Sequence, residues 1–379
     1  MKQGLNIQNV NRAMGQKGLS QADVAQRLGV TGAEVSAWLA GNHLPRPRIL
    51  LDLDRLLGLG FDALVTIEDP DAPRVAFRKA RGTKTKDHHI EKAAGMGRLL
   101  RELAPFSPFA AVKEAPPELK SPRCDYEYLQ QAAARVRAEV GLGASAAIDL
   151  EHLLLQFRKL QAVIVPVLWG EKQRYENALH IYLPDSKSTW VYLNLDTHVH
   201  DFMFWMAHEL GHCLSPSLEG KAAEDFADAF AGTLLYPHAL AQTTYERIAA
   251  IPSQQGRIRL IIDLADEHTI SPNSVFIQTD RYAHHTKQPL FDLGKTFFPQ
   301  VTNFHKDYNR LSQALFSDFP NASAPSARDY IAIVEKTFET PFFDMLRKLL
   351  QQRAVGPGFI QSVLDIPHLD ARSIHDELC

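Results

Sequence analysis

The run His208-Glu209-Leu210-Gly211-His212 constrains this chain more than any other feature. In a helix, residues four apart stand one above the other on one face, so both imidazoles reach the same point in space. The flanking Phe202, Phe204, Trp205, Met206, Ala207 and Leu210 are apolar and place that helix inside a core. Two imidazoles and a carboxylate buried there carry a desolvation cost unless they share a partner. A metal ion suits the spacing: the two histidines bind it, and Glu209 beside them can take a proton from metal-bound water. Zinc accepts nitrogen and carboxylate ligands, and a catalytic site keeps a fourth position open for that water.

A third ligand is needed. Glu224-Asp225-Phe226-Ala227-Asp228 lies on the next apolar helix, twelve residues beyond His212. Glu224 and Asp228 share one face at i and i+4. Glu224 would complete a His2Glu set, and Asp228 would accept a hydrogen bond from the free N–H of a ligand imidazole, fixing its tautomer. Asp225 and Glu219 compete for the third position, but the inferred helix phase turns them elsewhere.

The chain has 379 residues, so two or three domains are expected. Its composition, 45% hydrophobic and 22% charged, is that of a water-soluble globular protein. With a net charge of -3, any affinity for nucleic acid must come from a local patch. Neither a signal-peptide pattern nor a membrane-length apolar run is present, which predicts a cytoplasmic protein with no membrane partner. Residues 6 to 58 read as several short helices, with Ser20 and Thr31 as N-caps. A basic stretch from Arg74 to Arg101 and a proline-bearing one from Pro105 to Pro122 read as a connection. Helices are expected at Tyr126–Val140, Asp149–Leu160, Phe202–Leu214 and Ala222–Leu235, and strands at Ala162–Val167 and Trp190–Leu195. The second strand either receives a substrate backbone by strand addition or lies inside the sheet.

Taken together, His208-Glu209-Leu210-Gly211-His212 and Glu224-Asp225-Phe226-Ala227-Asp228-Ala229-Phe230-Ala231-Gly232-Thr233-Leu234-Leu235-Tyr236-Pro237 resemble the ImmA/IrrE family of bacterial metallopeptidases. The likeness covers roughly residues 125 to 285, including the strand ending at Asn194 and the segment Leu264 to Ser271. It implies a zincin-like α+β domain with a small sheet and a zinc-dependent endopeptidase that cuts repressors of the helix-turn-helix type. By matching position, His208, His212 and Glu224 become the zinc ligands, Glu209 the general base and Asp228 the support of a ligand histidine. Tyr236 and His238 are candidates for a second oxyanion donor.

Residues 9 to 58 resemble the XRE, or lambda-repressor-like, helix-turn-helix family, through Leu19-Ser20-Gln21-Ala22-Asp23-Val24-Ala25, Leu28-Gly29-Val30, Val35-Ser36-Ala37-Trp38-Leu39, Gly41-Asn42 and Pro45. Such a fold lays its second helix, here about Gly32 to Leu39, in the major groove of double-stranded DNA. Thr31, Gly32, Ala33, Glu34, Ser36 and Ala37 are then the candidate base-facing residues. Gln21 and Asn42 are phosphate contacts, with Arg46 or Arg48 near the backbone. The recognition helix lacks Lys and Arg, which leaves protein contact as the competing use of the module.

Of the three cysteines, Cys124 follows Pro122-Arg123, a run similar to the Pro-Arg-Cys of matrix-metalloprotease propeptides. It is a candidate inhibitory thiol for the zinc's open position, as is the motif-adjacent Cys213; a buried or inert thiol is the alternative. His198 and His200 read as loop histidines. The aromatic series Phe291, Phe297, Phe298, Phe304 and Tyr308 reads as core.

The expected organisation is a helix-turn-helix domain over 1–62, a connecting region over 63–121, a peptidase domain over 122–285 and a helical C-terminal domain over 286–379. The expected function is regulated cleavage of a repressor or antitoxin-like protein, in a stress, phage or mobile-element response, coupled to DNA binding. A second copy of the chain is a further candidate partner. The rival is an XRE-family regulator whose peptidase-like domain serves as a scaffold or effector sensor without proteolysis.

Overall fold

The structure, a computed structural model, describes residues 2–69, 71–78, 87–109, 117–170, 177–319 and 325–379. It separates into two compact units, Met1–Ala72 and Pro73–Cys379. Part of the basic stretch (79–86) and part of the proline-bearing stretch (110–116) lie outside the described residues.

The first unit contains β1 (Lys2–Leu5), α1 (Ile7–Gln16), α2 (Gln21–Leu28), α3 (Gly32–Leu39), α4 (Pro47–Leu57), α5 (Phe61–Leu64) and β2 (Val65–Glu68). Ser20 and Asp23 close a reciprocal capping box on α2, and Thr31 and Glu34 close another on α3. Between them Gly29 takes φ +65°, a left-handed turn that a side chain would strain. Val10, Met14, Val24, Val35, Trp38, Leu53 and Leu57 fill the core. β2 pairs antiparallel with β1, from Leu5↔Val65 to Lys2↔Glu68. The unit therefore runs past the expected boundary at residue 62, because its last strand pairs with its first.

The second unit is built on a sheet of order β3-β5-β6-β4. Its strands are β3 (Arg74–Arg78), β4 (Ala162–Val167), β5 (Ala178–Leu183) and β6 (Ser188–Asn194). β4 runs parallel to β6; β5 is antiparallel to both β6 and β3. Helix α6 (Asp87–Leu103) precedes α7 (Tyr126–Glu139) and α8 (Leu150–Lys159), and the sheet is followed by α9 (Val199–Leu214) and α10 (Gly220–Leu235). Then come α11–α13 (His238–Ala249, Gln254–Glu267, Pro272–His285), α14 and α15 (Phe297–Lys306, Leu311–Leu315), and α16–α19 (Ala327–Phe338, Phe342–Gln352, Pro357–Leu364, His368–Leu378).

Two expectations change here. The connection contains β3 and α6, and both belong to the second unit. Residues 286–379 do not form a separate core: Phe316, Phe338, Phe342, Leu349, Ile360 and Ile374 join the same buried cluster as β4–β6 and α9. The physical reason lies in the strands. β4 is buried at every position, so both sheet faces need cover. Tyr192 donates to the carbonyl of Val363, and the Trp169 indole donates to that of Leu364, tying the C-terminal helices to the sheet. Phe297 and Phe304 are core as expected, whereas Phe298 is exposed. Among the described residues, no helix is long and apolar enough to cross a membrane.

Helices α9 and α10 meet at Gly211, where an added Cβ would stand 3.0 Å from the Ala227 Cα and 3.3 Å from its Cβ. Gly211→Ala is expected to lower stability by about 1–3 kcal/mol through overpacking. Thermal melting of the metal-free protein checks this; an unchanged melt would mean that the helices have room to spare.

Candidate metal centre and DNA-binding face

Helix α9 carries His208, Glu209 and His212, all buried. The two Nε2 atoms face each other at 3.0 Å. Helix α10 delivers Glu224, whose carboxylate oxygens lie 3.5 Å from His208 Nε2 and 3.4 Å from His212 Nε2. Among the described residues, these three form the one group with ligand atoms close enough to share an ion. A tetrahedral zinc with bonds of about 2.0–2.2 Å separates its ligand atoms by roughly 3.3–3.6 Å. The two distances to Glu224 fall in that range, the 3.0 Å between the nitrogens is shorter, and the donors, two imidazoles and a carboxylate, are zinc donors. The residues fit the ion.

Asp228 accepts at 3.0 Å from His208 Nδ1, which turns Nε2 toward the shared point. Burial opposes a charged His208, but its hydrogen bonds to Asp228 and Glu224 and the charge of Glu209 outweigh it and push its pKa up to about 9. His212 goes the other way, lowered by burial. Burial resists ionisation of Glu224, yet its bonds to His208 and His212 hold it down to about 2. The shifts of His208 and Glu224 both favour positive charge between the imidazoles and the carboxylate, the position a cation would take.

One site residue has no counterpart in the sequence reading. His180 on β5 is buried, its ring 5.7 Å from that of His212 and its Nε2 without a hydrogen-bond partner among the described residues. Burial, then the neighbouring His212, lowers its pKa to about 3, so it is a neutral imidazole. The available signal was a histidine within the apolar run Ala178 to Leu183.

Two cavities flank the ligands. A cleft of about 720 Å³ borders the site at Asp228 and is lined also by Asn177, Trp205, Gln278 and Arg281. A smaller one of about 270 Å³ borders it at His212, with His180, Tyr182 and Glu219.

Other candidates lie elsewhere. Asp225 pairs with Lys221, and Glu219 stands near Arg74. The Tyr236 hydroxyl bonds Thr244, and His238 Nδ1 bonds the Tyr126 hydroxyl. Cys124 is exposed and outside the ligand group, its thiol pKa raised by partial burial and by Asp225. Cys213 is buried, and burial together with Glu209 raises its pKa well above the usual thiol range, which keeps it an inert thiol. His200 is not a loop residue: it sits buried in the first turn of α9, against Phe304 and Tyr308. Strand β6 lies inside the sheet, between β5 and β4, so the internal alternative holds and it offers no edge to a substrate.

In the first unit, Gln21, Thr31, Ala33, Glu34, Ser36 and Asn42 are exposed and Ala37 is half-buried. The Glu34 carboxylate accepts from the Thr31 N–H and hydroxyl, so it caps α3, and these bonds lower its pKa. Thr31 and Glu34 are thereby engaged with each other. Ala33, Ser36 and Ala37 present a small-residue face.

Residues 11–65 match the family model of a helix-turn-helix domain. The chain thus carries a helix-turn-helix domain in its N-terminal part, the kind of module that DNA-binding regulators use. No curated protein and no solved structure matches the chain.

Proposed function

We propose that the second unit is a zinc endopeptidase of the ImmA/IrrE type and that the helix-turn-helix domain couples it to DNA. The observation that carries this reading is the triangle of His208, His212 and Glu224 with Asp228 on His208 Nδ1. Bound there, zinc would lower the pKa of a coordinated water and polarise a peptide carbonyl. The chain's own residues do the rest. Asp228 holds His208 in one tautomer, Glu209 takes a proton from the attacking water, and Glu209 returns it to the leaving amine. The flanking cavities leave room for polypeptide on both sides. The substrate class is a protein, and the pairing with a helix-turn-helix module favours a repressor or antitoxin-like protein carrying the same kind of domain.

Mass spectrometry of the intact protein tests the metal. One zinc per chain is expected in the wild type and none in His208→Ala. A wild-type chain that stays empty after zinc is added back sinks the peptidase reading and puts the regulator without proteolysis in front.

The DNA role has its own test. Ala33→Glu with Ser36→Glu places two negative charges on the exposed face of α3 and should weaken binding to double-stranded DNA about tenfold or more. Fluorescence anisotropy on DNA selected from a random pool reads this. Equal binding by the doubly substituted chain would assign the face to protein contact.

A further inference from the structure

Strand β5 runs along the metal ligands. His180 and Tyr182 on it line the small cavity with His212, and Asn177, just before it, lines the large cleft with Asp228. One edge of β5 is paired with β6. Its other edge is where an extended polypeptide would add as an antiparallel strand and pass the ligands from one cavity to the other.

That edge is filled by the chain itself. β3 pairs with β5 over its whole length, Arg74↔Tyr182, Ala76↔His180 and Arg78↔Ala178. Arg74, Val75 and Ala76 line the small cavity together with His212, and Arg78 pairs beside Asn177 of the large cleft. β3 therefore lies along the path that a substrate strand would take. It begins two residues after the end of the first unit, directly after Pro73. Pro73 in turn packs so closely on α6 that a Cβ at Gly97 would stand 2.5 Å from the Pro73 Cβ.

Resting on the peptidase reading, we propose that β3 is a resident occupant of the substrate-strand position, so that the connection to the helix-turn-helix domain holds the peptidase closed. A substrate enters as an extended segment that replaces β3 on β5. Whatever draws the connection away from the sheet opens the site.

The test uses the full chain with Val75→Pro and Ala76→Pro. Successive N–H groups of a strand point to opposite edges, so replacing two neighbours removes one that faces β5. Gly97→Ala, which crowds Pro73 and more mildly the Ile181 side chain of β5 without touching the β3 backbone, is the second variant. The probe is a fluorescein-labelled peptide with the sequence of residues 73–78, added to zinc-loaded protein carrying Glu209→Gln. The β3 variants should bind it about tenfold or more tighter than the protein with native β3, and the bound peptide should slow zinc extraction by a chelator. With Glu209 restored, the same variants should hydrolyse labelled casein about tenfold or more faster than wild type.

Equal peptide binding with and without native β3, or binding that leaves zinc extraction unchanged, overturns the inference while zinc in the wild type leaves the peptidase reading standing. Loss of the folded second unit in both variants makes β3 a structural strand and overturns it too. A wild-type chain without zinc fails at the earlier step, and both readings fall together.

Discussion

Glu209→Gln is expected to keep its zinc and to lose about 10²–10⁴-fold in peptide hydrolysis. The amide matches the carboxylate in shape but cannot accept a proton at neutral pH. Glu209 is fully buried on α9 between the two histidines, and it is not one of the three grouped ligands. Its removal should therefore leave the coordination triangle intact and delete the base. The measurement pairs zinc stoichiometry with the rate of cleavage of labelled casein in a β3-opened background. Hydrolysis surviving with zinc in place would show that another group takes the proton. Loss of zinc would make Glu209 a structural residue of the site.

The grouping of His208, His212 and Glu224 is legible in the sequence because each of its parts is local. His208 and His212 sit four apart on one helix, as do Glu224 and Asp228 on the next, and the apolar residues around both fix which face turns inward. The part that brings the helices together was also local, since Gly211 and Ala227 leave them nothing to hold them apart. His180 was not legible. It reaches the site through the register of β5 on β6, where it stands opposite Val191, and register is a property of the sheet rather than of the segment. β3 was further out of reach, because Ala76 pairs with a residue more than a hundred positions away.

The place of the C-terminal quarter is signalled by strand β4. The run Ala162 to Val167 is apolar throughout rather than alternating, which marks a strand covered on both faces. The helices preceding the motif and following it can cover only one. Something else had to supply the second layer, and α16–α19 do so, with Tyr192 and Trp169 bonded to the end of α18. In the first unit the capping residues Ser20 and Thr31 are legible, but the sequence places Glu34 among the candidate base-facing residues rather than in a cap. Its place three residues after Thr31 is the capping-box spacing, and the structure has its carboxylate bound to the helix start.

Zinc uptake should release about one proton per chain at pH 7, since the metal-free site protonates His208 with a pKa of about 9. The sign follows from the charges. Below pH 9 the proton and the ion compete for the same Nε2, so apparent zinc affinity should fall about tenfold for each pH unit between 9 and 7. Above pH 9 this dependence should flatten. Glu224, held down to about 2, stays ionised throughout and adds no slope in that range. Asp228→Asn separates two effects that act in opposite directions. It removes a carboxylate that favours the competing proton, and it removes the same carboxylate's support for His208 as a ligand. Second-layer substitutions of this kind weaken metal binding by about 10–100-fold, so support should outweigh competition while the pH slope becomes shallower. Titration calorimetry in buffers of different ionisation enthalpy reads proton release and affinity together. Zinc binding without proton release between pH 7 and 9 would show that His208 is already neutral in the metal-free site and that the proton does not compete for its Nε2.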